Sequence, residues 1–191
     1  MLTRTDWLDE GLQLVADGGA PALRLEALSR RMHATKGSFY HHFVDLADYR
    51  RALLGHYEEL CTTRLITANT SLAPRPPMER LRALADAALD EETRRQGLEV
   101  ALRAWAAQDD DARDALQRVD ALRLGYLVEL TSAVTDDPAA ATDLARTVYY
   151  LLVGSQHTVP AGSLEELRRL WLRLLEPFDA QPATDRGEVR S

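Results

Sequence analysis

The stretch Thr35-Lys36-Gly37-Ser38-Phe39-Tyr40-His41-His42-Phe43 decides how this chain of 191 residues is read. Thr35 suits a helix N-cap. Phe39 and Phe43 fall at i and i+4, so both rings face one side of a short helix running from Lys36 to His42. Left outside are a cation, a glycine, a hydroxyl, a phenol and two imidazoles: Lys36, Gly37, Ser38, Tyr40, His41 and His42. A plain solvated face carries Glu and Arg instead. This set suits a helix laid in the major groove of DNA. Hydroxyls and imidazoles donate to phosphates, a lysine neutralises or reads, and a glycine lets the backbone approach the bases. Lys36 is also the only lysine in the chain.

Upstream, Leu25, Leu28 and Met32 make the apolar stripe of a short second helix. Leu8, Leu12 and Val15 make that of a first helix, which Gly18-Gly19 stops. Downstream, Asp45 caps a long fourth helix to about Asn69, carrying Leu46, Tyr49, Leu53 and Leu60. The formal net charge is −7, which argues against a protein that coats nucleic acid nonspecifically. Yet 24–51 holds Arg24, Arg30, Arg31, Lys36, Arg50 and Arg51 against only Glu26, Asp45 and Asp48. An anion-facing patch sits on an otherwise acidic body.

Residues 5–54 resemble the DNA-binding domain of the TetR family of transcriptional regulators. The resemblance rests on Trp7-Leu8 and Gly18-Gly19, on Leu25-Glu26-Ala27-Leu28, and above all on the run from Thr35 to Phe43. It implies that Thr35, Lys36, Ser38, Tyr40, His41 and His42 touch DNA, Tyr40 and His41 at the backbone, with Lys36 and Gly37 near base edges. It implies a homodimer on a near-palindromic double-stranded operator, its half-sites about one helical turn apart. It also implies a helical effector-binding body with little common sequence. Three positions depart from the family pattern. His33 stands where a turn glycine is usual, at a cost of about 1 kcal/mol. Arg24 replaces the usual Thr or Ser cap of the second helix, and we expect it to contact a phosphate instead. Leu46 replaces a basic residue common near the start of the fourth helix.

The rest of the chain reads as helix. Leu (32) and Ala (28) far outnumber Val (10) and Ile (1), which disfavours sheet folds. Leu72-Ala73-Pro74-Arg75-Pro76-Pro77 breaks the pattern, and Pro77 then opens a helix to about Gln96, where Gly97 stops it. Helices follow over Leu98–Gln108, from the Asp109-Asp110-Asp111 cap to about Thr135, from Asp137-Pro138 to about His157, and from Ser163 to Glu176 before Pro177. The expected fold is all-α, with about nine helices. A helix–turn–helix DNA-binding domain occupies 1–50 and a long linking helix about 45–69. A helical effector-binding and dimerisation domain covers 51–178, and 179–191 forms a polar, mobile tail.

Within the body, Trp105, Tyr126, Tyr149, Tyr150 and His157 pair flat apolar area with hydrogen-bonding tips, and are the candidate contacts for a small, largely apolar effector. The stripes Leu144/Val148/Leu151/Ser155 and Leu164/Leu167/Trp171/Leu174 suggest a four-helix dimer interface through about 142–157 and 163–176. No cofactor, metal or membrane partner is expected. His41 and His42 are adjacent and diverge, and the lone Cys61 excludes a disulfide framework. No signal core precedes the first helix, so a cytoplasmic repressor is the expectation. Two other classes stay open. One is a helical adaptor with no DNA role. The other is an enzyme using the central cavity, although no paired carboxylates, triad order or metal spacing supports catalysis.

Overall fold

The structure is a computed structural model describing residues 2–95 and 97–179. Its helices are α1 (Arg4–Gly18), α2 (Leu25–Arg31), α3 (Lys36–Tyr40), α4 (Leu46–Glu58), α5 (Arg64–Thr70), α6 (Pro77–Arg94), α7 (Leu98–Ala106), α8 (Asp110–Thr131), α9 (Pro138–His157) and α10 (Leu164–Asp179). A π-helical segment, Glu59–Thr63, runs without a break between α4 and α5. These three pieces are the long linking helix that the sequence predicts, so the described residues form nine rods and no strand. The fold is all-α, as expected.

The helix starts follow local chemistry. Thr3, Thr35, Asp45, Asp109 and Asp137 each accept a backbone N–H of the first turn, which satisfies donors that have no partner inside the helix. Gly97 ends α6 and opens α7 with φ +81, a left-handed conformation that suits glycine. Several boundaries differ from the sequence reading: the seventh helix ends at Ala106 rather than Gln108, and the eighth at Thr131 rather than near Thr135. The third helix closes at Tyr40, with His41 as its C-cap, because the chain must turn Phe43 under the domain. The sixth ends at Arg94, and Gln96 lies outside the described residues. Pro177 does not end α10, which continues to Asp179. A proline in the last turn removes only one hydrogen bond, and Leu175 and Phe178 hold that turn against the core. Of the tail, 180–191 lies outside the described residues.

Two apolar clusters make the core. The first joins Trp7, Leu12, Val15, Leu28, Phe39 and Tyr49 of the N-terminal helices to Leu98, Leu102 and Trp105 of α7 and Val119 of α8. The second joins Leu81 and Leu89 of α6 to Tyr126, Leu130, Val148, Leu167 and Trp171 of α8, α9 and α10. The first helix thus packs directly on α7, and the linking rod touches both clusters.

The tightest point is Gly11. The Tyr49 hydroxyl donates to the Trp7 carbonyl at 2.8 Å, and a Cβ on Gly11 would lie 1.9 Å from that hydroxyl oxygen. Gly11→Ala is therefore expected to lower stability by about 1–3 kcal/mol despite the better helix propensity of alanine. Chemical denaturation checks this, and an unchanged or higher midpoint would show that Tyr49 can yield.

Candidate nucleic-acid interface and interior cavity

The first candidate site is built on the α2–turn–α3 unit. His33 sits in the turn at φ +49, the left-handed conformation that its place in the motif requires. Thr35 caps α3 through its Oγ1, 3.3 Å from the Ser38 N–H. Phe39 anchors the helix. It is fully buried, with its ring 5.5 Å from Trp7, 5.2 Å from Phe43 and 5.3 Å from Tyr49. That anchor turns Thr35, Lys36, Gly37, Tyr40 and His41 to solvent, while Ser38 and His42 are half-buried. His42 Nε2 is 3.1 Å from the Leu2 carbonyl, so this imidazole is held to the chain's own N-terminal segment.

Gly37 is informative because nothing in the protein requires it. A Cβ there would meet only the Thr35 hydroxyl, at 3.7 Å. Glycine inside a helix costs roughly 1 kcal/mol relative to alanine, and here no neighbour in the chain uses the freed space. Lys36 Nζ donates to Glu26 at 2.7 Å. Both side chains are more than half exposed, so water screens the pair and little is lost in parting it.

Arg24 stands at the N-cap of α2 with no capping bond, and its Nε donates to the Pro21 carbonyl at 3.1 Å. It shares a shallow groove with Tyr40 and Arg50. The Nε of Arg50 is buried and has no hydrogen-bond partner. The sequence reading assigns Arg50 no contact; the tertiary fold places it on the same groove as Arg24.

The second candidate site is a cavity walled by the linking rod and by α6, α7, α8, α9 and α10. Leu81, Leu84, Leu127, Leu152 and Trp171 are part of its apolar wall, and Glu92, Arg123 and Gln156 are among its polar lining. Tyr126 and Tyr149 line it. The other three residues expected at an effector site do not. Trp105 is buried in the first core cluster, Tyr150 is 61 % exposed, and His157 is exposed with Nδ1 on the Val153 carbonyl. Helical spacing puts them on the right rods, but the rotation of each rod is decided by its packing partners.

Both lining tyrosines already have partners. The Tyr126 hydroxyl donates to Asn69 Oδ1 at 2.7 Å and accepts from Arg80 at 3.0 Å. The Tyr149 hydroxyl donates to Asp120 Oδ1 at 2.6 Å. Burial raises the Tyr149 phenol to about 12, so it remains protonated.

A charge cluster that sequence reasoning missed closes one end of the cavity. Buried Glu99 of α7 accepts from Arg103 at 2.8 Å, from Arg123 at 3.2 Å and from the Tyr57 hydroxyl. Arg103 also pairs with Asp120 at 2.9 Å. Burial pushes the Glu99 carboxyl up, but Arg123 and Arg103 more than offset that and hold it below the ordinary range. Arg123 reaches further, donating to the Thr62 hydroxyl at 3.0 Å and the Cys61 carbonyl at 3.2 Å. Both acceptors belong to the π-helical segment of the linking rod. Such segments leave i→i−4 acceptors in need of donors, and the guanidinium supplies one. The Cys61 thiol is raised to about 12 by burial and the nearby Glu91, which leaves it a poor nucleophile. A signal for this cluster was present in the sequence. Glu99 interrupts the stripe Leu98/Leu102/Trp105, and Arg123 interrupts Leu116/Val119/Tyr126/Leu130.

The stripes assigned to a dimer interface pack at home instead. Leu144, Val148, Leu167 and Trp171 are buried in the second cluster, and the Trp171 indole donates to the Val148 carbonyl at 3.1 Å. The large apolar side chains left exposed on α8, α9 and α10 are Leu122, Tyr150 and Leu172. Among the described residues no helix is long and apolar enough to cross a membrane.

No family model and no curated protein matches the sequence. Solved structures do match the fold. A TetR-family transcriptional regulator from Streptomyces coelicolor superposes with a TM-score of 0.73 at 17 % identity, over 92 % of this chain and 87 % of that one. The regulatory protein TetR from Rhodobacter sphaeroides gives 0.70 at 22 % identity, over 93 % and 97 %. Reduced NemR from E. coli gives 0.72 at 21 % identity, over 91 % and 96 %. The chain therefore has the fold of the TetR-family transcriptional regulators.

Proposed function

We propose that the chain is a one-component transcriptional regulator of the TetR type, a repressor that binds a near-palindromic operator as a homodimer and lets go when a small effector fills the cavity. The observation that carries this reading is the outward face of α3. Its buried Phe39 fixes the helix, its Gly37 serves no neighbour in the chain, and its polar side chains point away from the body. In this reading Thr35, Ser38, Tyr40 and His41 hold phosphates, with Arg24 and Arg50 beside them. Lys36 leaves Glu26 for the DNA, and Gly37 admits a base edge. His42 acts through its grip on the N-terminal segment. Copies meet through the outer faces of α9 and α10, with Tyr150 and Leu172 as exposed apolar contacts.

Control follows from the rod. Tyr57, Cys61 and Thr62 both line the cavity and belong to the linking rod that leads to the DNA-binding helices. An effector that draws Arg123 away from the Cys61 carbonyl loosens the π-helical segment and changes the separation of the two recognition helices. Only a ligand that prefers the misaligned dimer releases DNA, and the coupling is reciprocal.

Capture of genomic fragments on the purified chain, followed by footprinting, tests the reading. The expected footprint is a dyad whose half-site centres lie about one helical turn apart on one face of the duplex. A single asymmetric footprint would reject the dimer, and no protected fragment at low salt would reject the function.

A further inference from the structure

The charges around the cavity do not all pair off. Glu91 is matched by Arg95 at 2.5 Å and Arg94 at 3.2 Å. Glu99 is matched by Arg103 and Arg123. Glu92, on the same wall, has no arginine within ion-pair distance among the described residues. It accepts from Gln156 Nε2 at 2.8 Å and from the Gly97 backbone. Partial burial and the neighbouring Glu99 raise its carboxyl above the ordinary range, outweighing the Gly97 and Gln156 hydrogen bonds and the more distant Arg123, which lower it. Gln156 adds a second unmet need. With its Nε2 given to Glu92, its Oε1 is left buried and without a partner. An acceptor left in that state favours any donor that reaches it. One pole of the cavity thus offers a half-buried carboxylate with no cation in direct contact and an amide oxygen lacking a donor. Leu81, Leu84, Leu152 and Trp171 belong to the apolar remainder.

We propose that this cavity takes an amphipathic amine, its ammonium group held by Glu92 and the Gln156 amide oxygen and its apolar body against the leucines and Trp171. The proposal rests on the effector-site reading above and narrows it to one chemical class. An ammonium group supplies both missing partners, a positive charge for Glu92 and N–H donors for Gln156. A neutral alcohol can donate to Gln156 but leaves Glu92 unmatched. A carboxylate would be opposed by Glu92, and the two arginines of the lining, Arg95 and Arg123, are already paired with Glu91 and Glu99.

Three probes of one shape test this by titration calorimetry on the full chain at pH 7: 4-butylbenzylamine, 4-butylbenzyl alcohol and 4-butylbenzoate. The amine is expected to bind at least about tenfold tighter than the alcohol, with the benzoate weakest. Glu92→Gln should bring the amine to the affinity of the alcohol without changing the latter, which also shows that the cavity is intact. Gln156→Met should weaken amine and alcohol alike. The proposal is overturned if alcohol or benzoate matches the amine, or if Glu92→Gln keeps the preference. It is also overturned if the alcohol alone binds, and that result leaves the effector-site reading standing. Binding by none of the three counts against both.

Discussion

Replacing Glu99 by alanine is expected to cost about 3–5 kcal/mol of stability. The reason is the charge left behind. Arg123 is largely buried, with 17 % of its side chain exposed, and without Glu99 its remaining hydrogen bonds go to neutral groups, Tyr57, Thr62, Tyr149 and the Cys61 carbonyl, with the carboxylates of Asp120 and Glu92 further off. An uncompensated buried guanidinium is far more costly than the pair was beneficial. A double variant, Glu99→Leu with Arg123→Met, should therefore recover much of the loss, and the cycle of single and double variants measures the coupling directly. Acid titration gives an independent check. The folded carboxyl of Glu99 lies below its ordinary value, so its stabilisation is present at neutral pH and is lost as pH falls through that depressed value. The alanine variant should show a flatter acid limb. A loss under about 1 kcal/mol would mean that water or a shifted helix solvates Arg123, and the cluster would then not brace the linking rod.

The second large effect is on DNA. Lys36→Ala combined with Tyr40→Ala should weaken binding to the footprinted operator by at least about 100-fold while leaving the unfolding midpoint nearly unchanged. Both side chains are exposed, and surface changes of this kind stay within about 0.5 kcal/mol of stability. The Lys36–Glu26 pair adds little to that, being open to solvent. In the proposed complex the same two groups lose water to phosphate and base. Anisotropy titrations across a salt series separate the causes, because each lost phosphate contact lowers the salt slope by about 1. Unchanged affinity with an unchanged slope would move the interface away from α3. A parallel fall in affinity and stability would mean that the helix itself had been damaged.

The helix–turn–helix half of this protein is local in origin, and so it is legible in the chain. A threonine cap, two phenylalanines four residues apart and a polar set between them specify a short helix, its buried side and its outward side, with no help from distant residues. The left-handed turn at His33 is what the family resemblance implies, since a turn glycine is usual there. The cavity is different. Tyr126 and Tyr149 reach its wall, while Trp105, Tyr150 and His157, equally plausible by composition, are turned elsewhere by the helices that pack on them. The stripes of α9 and α10 show the same limit, since an apolar face does not say whether its cover comes from the same chain or another.

Periodicity, capping residues and the Leu/Ala-rich composition were enough to set the class of fold, the order of its helices and the side of α3 that faces outward. Each depends on contacts within a few residues, where geometry is fixed by the backbone. The pairing of Glu99 with Arg123, the grip of Arg123 on the π-helical segment, the meeting of Arg24 with Arg50 and the unmatched pole at Glu92 and Gln156 belong to the tertiary structure alone. They join residues from 24 to 64 positions apart, and which charges are left without partners is settled only when every helix has taken its rotation against its neighbours.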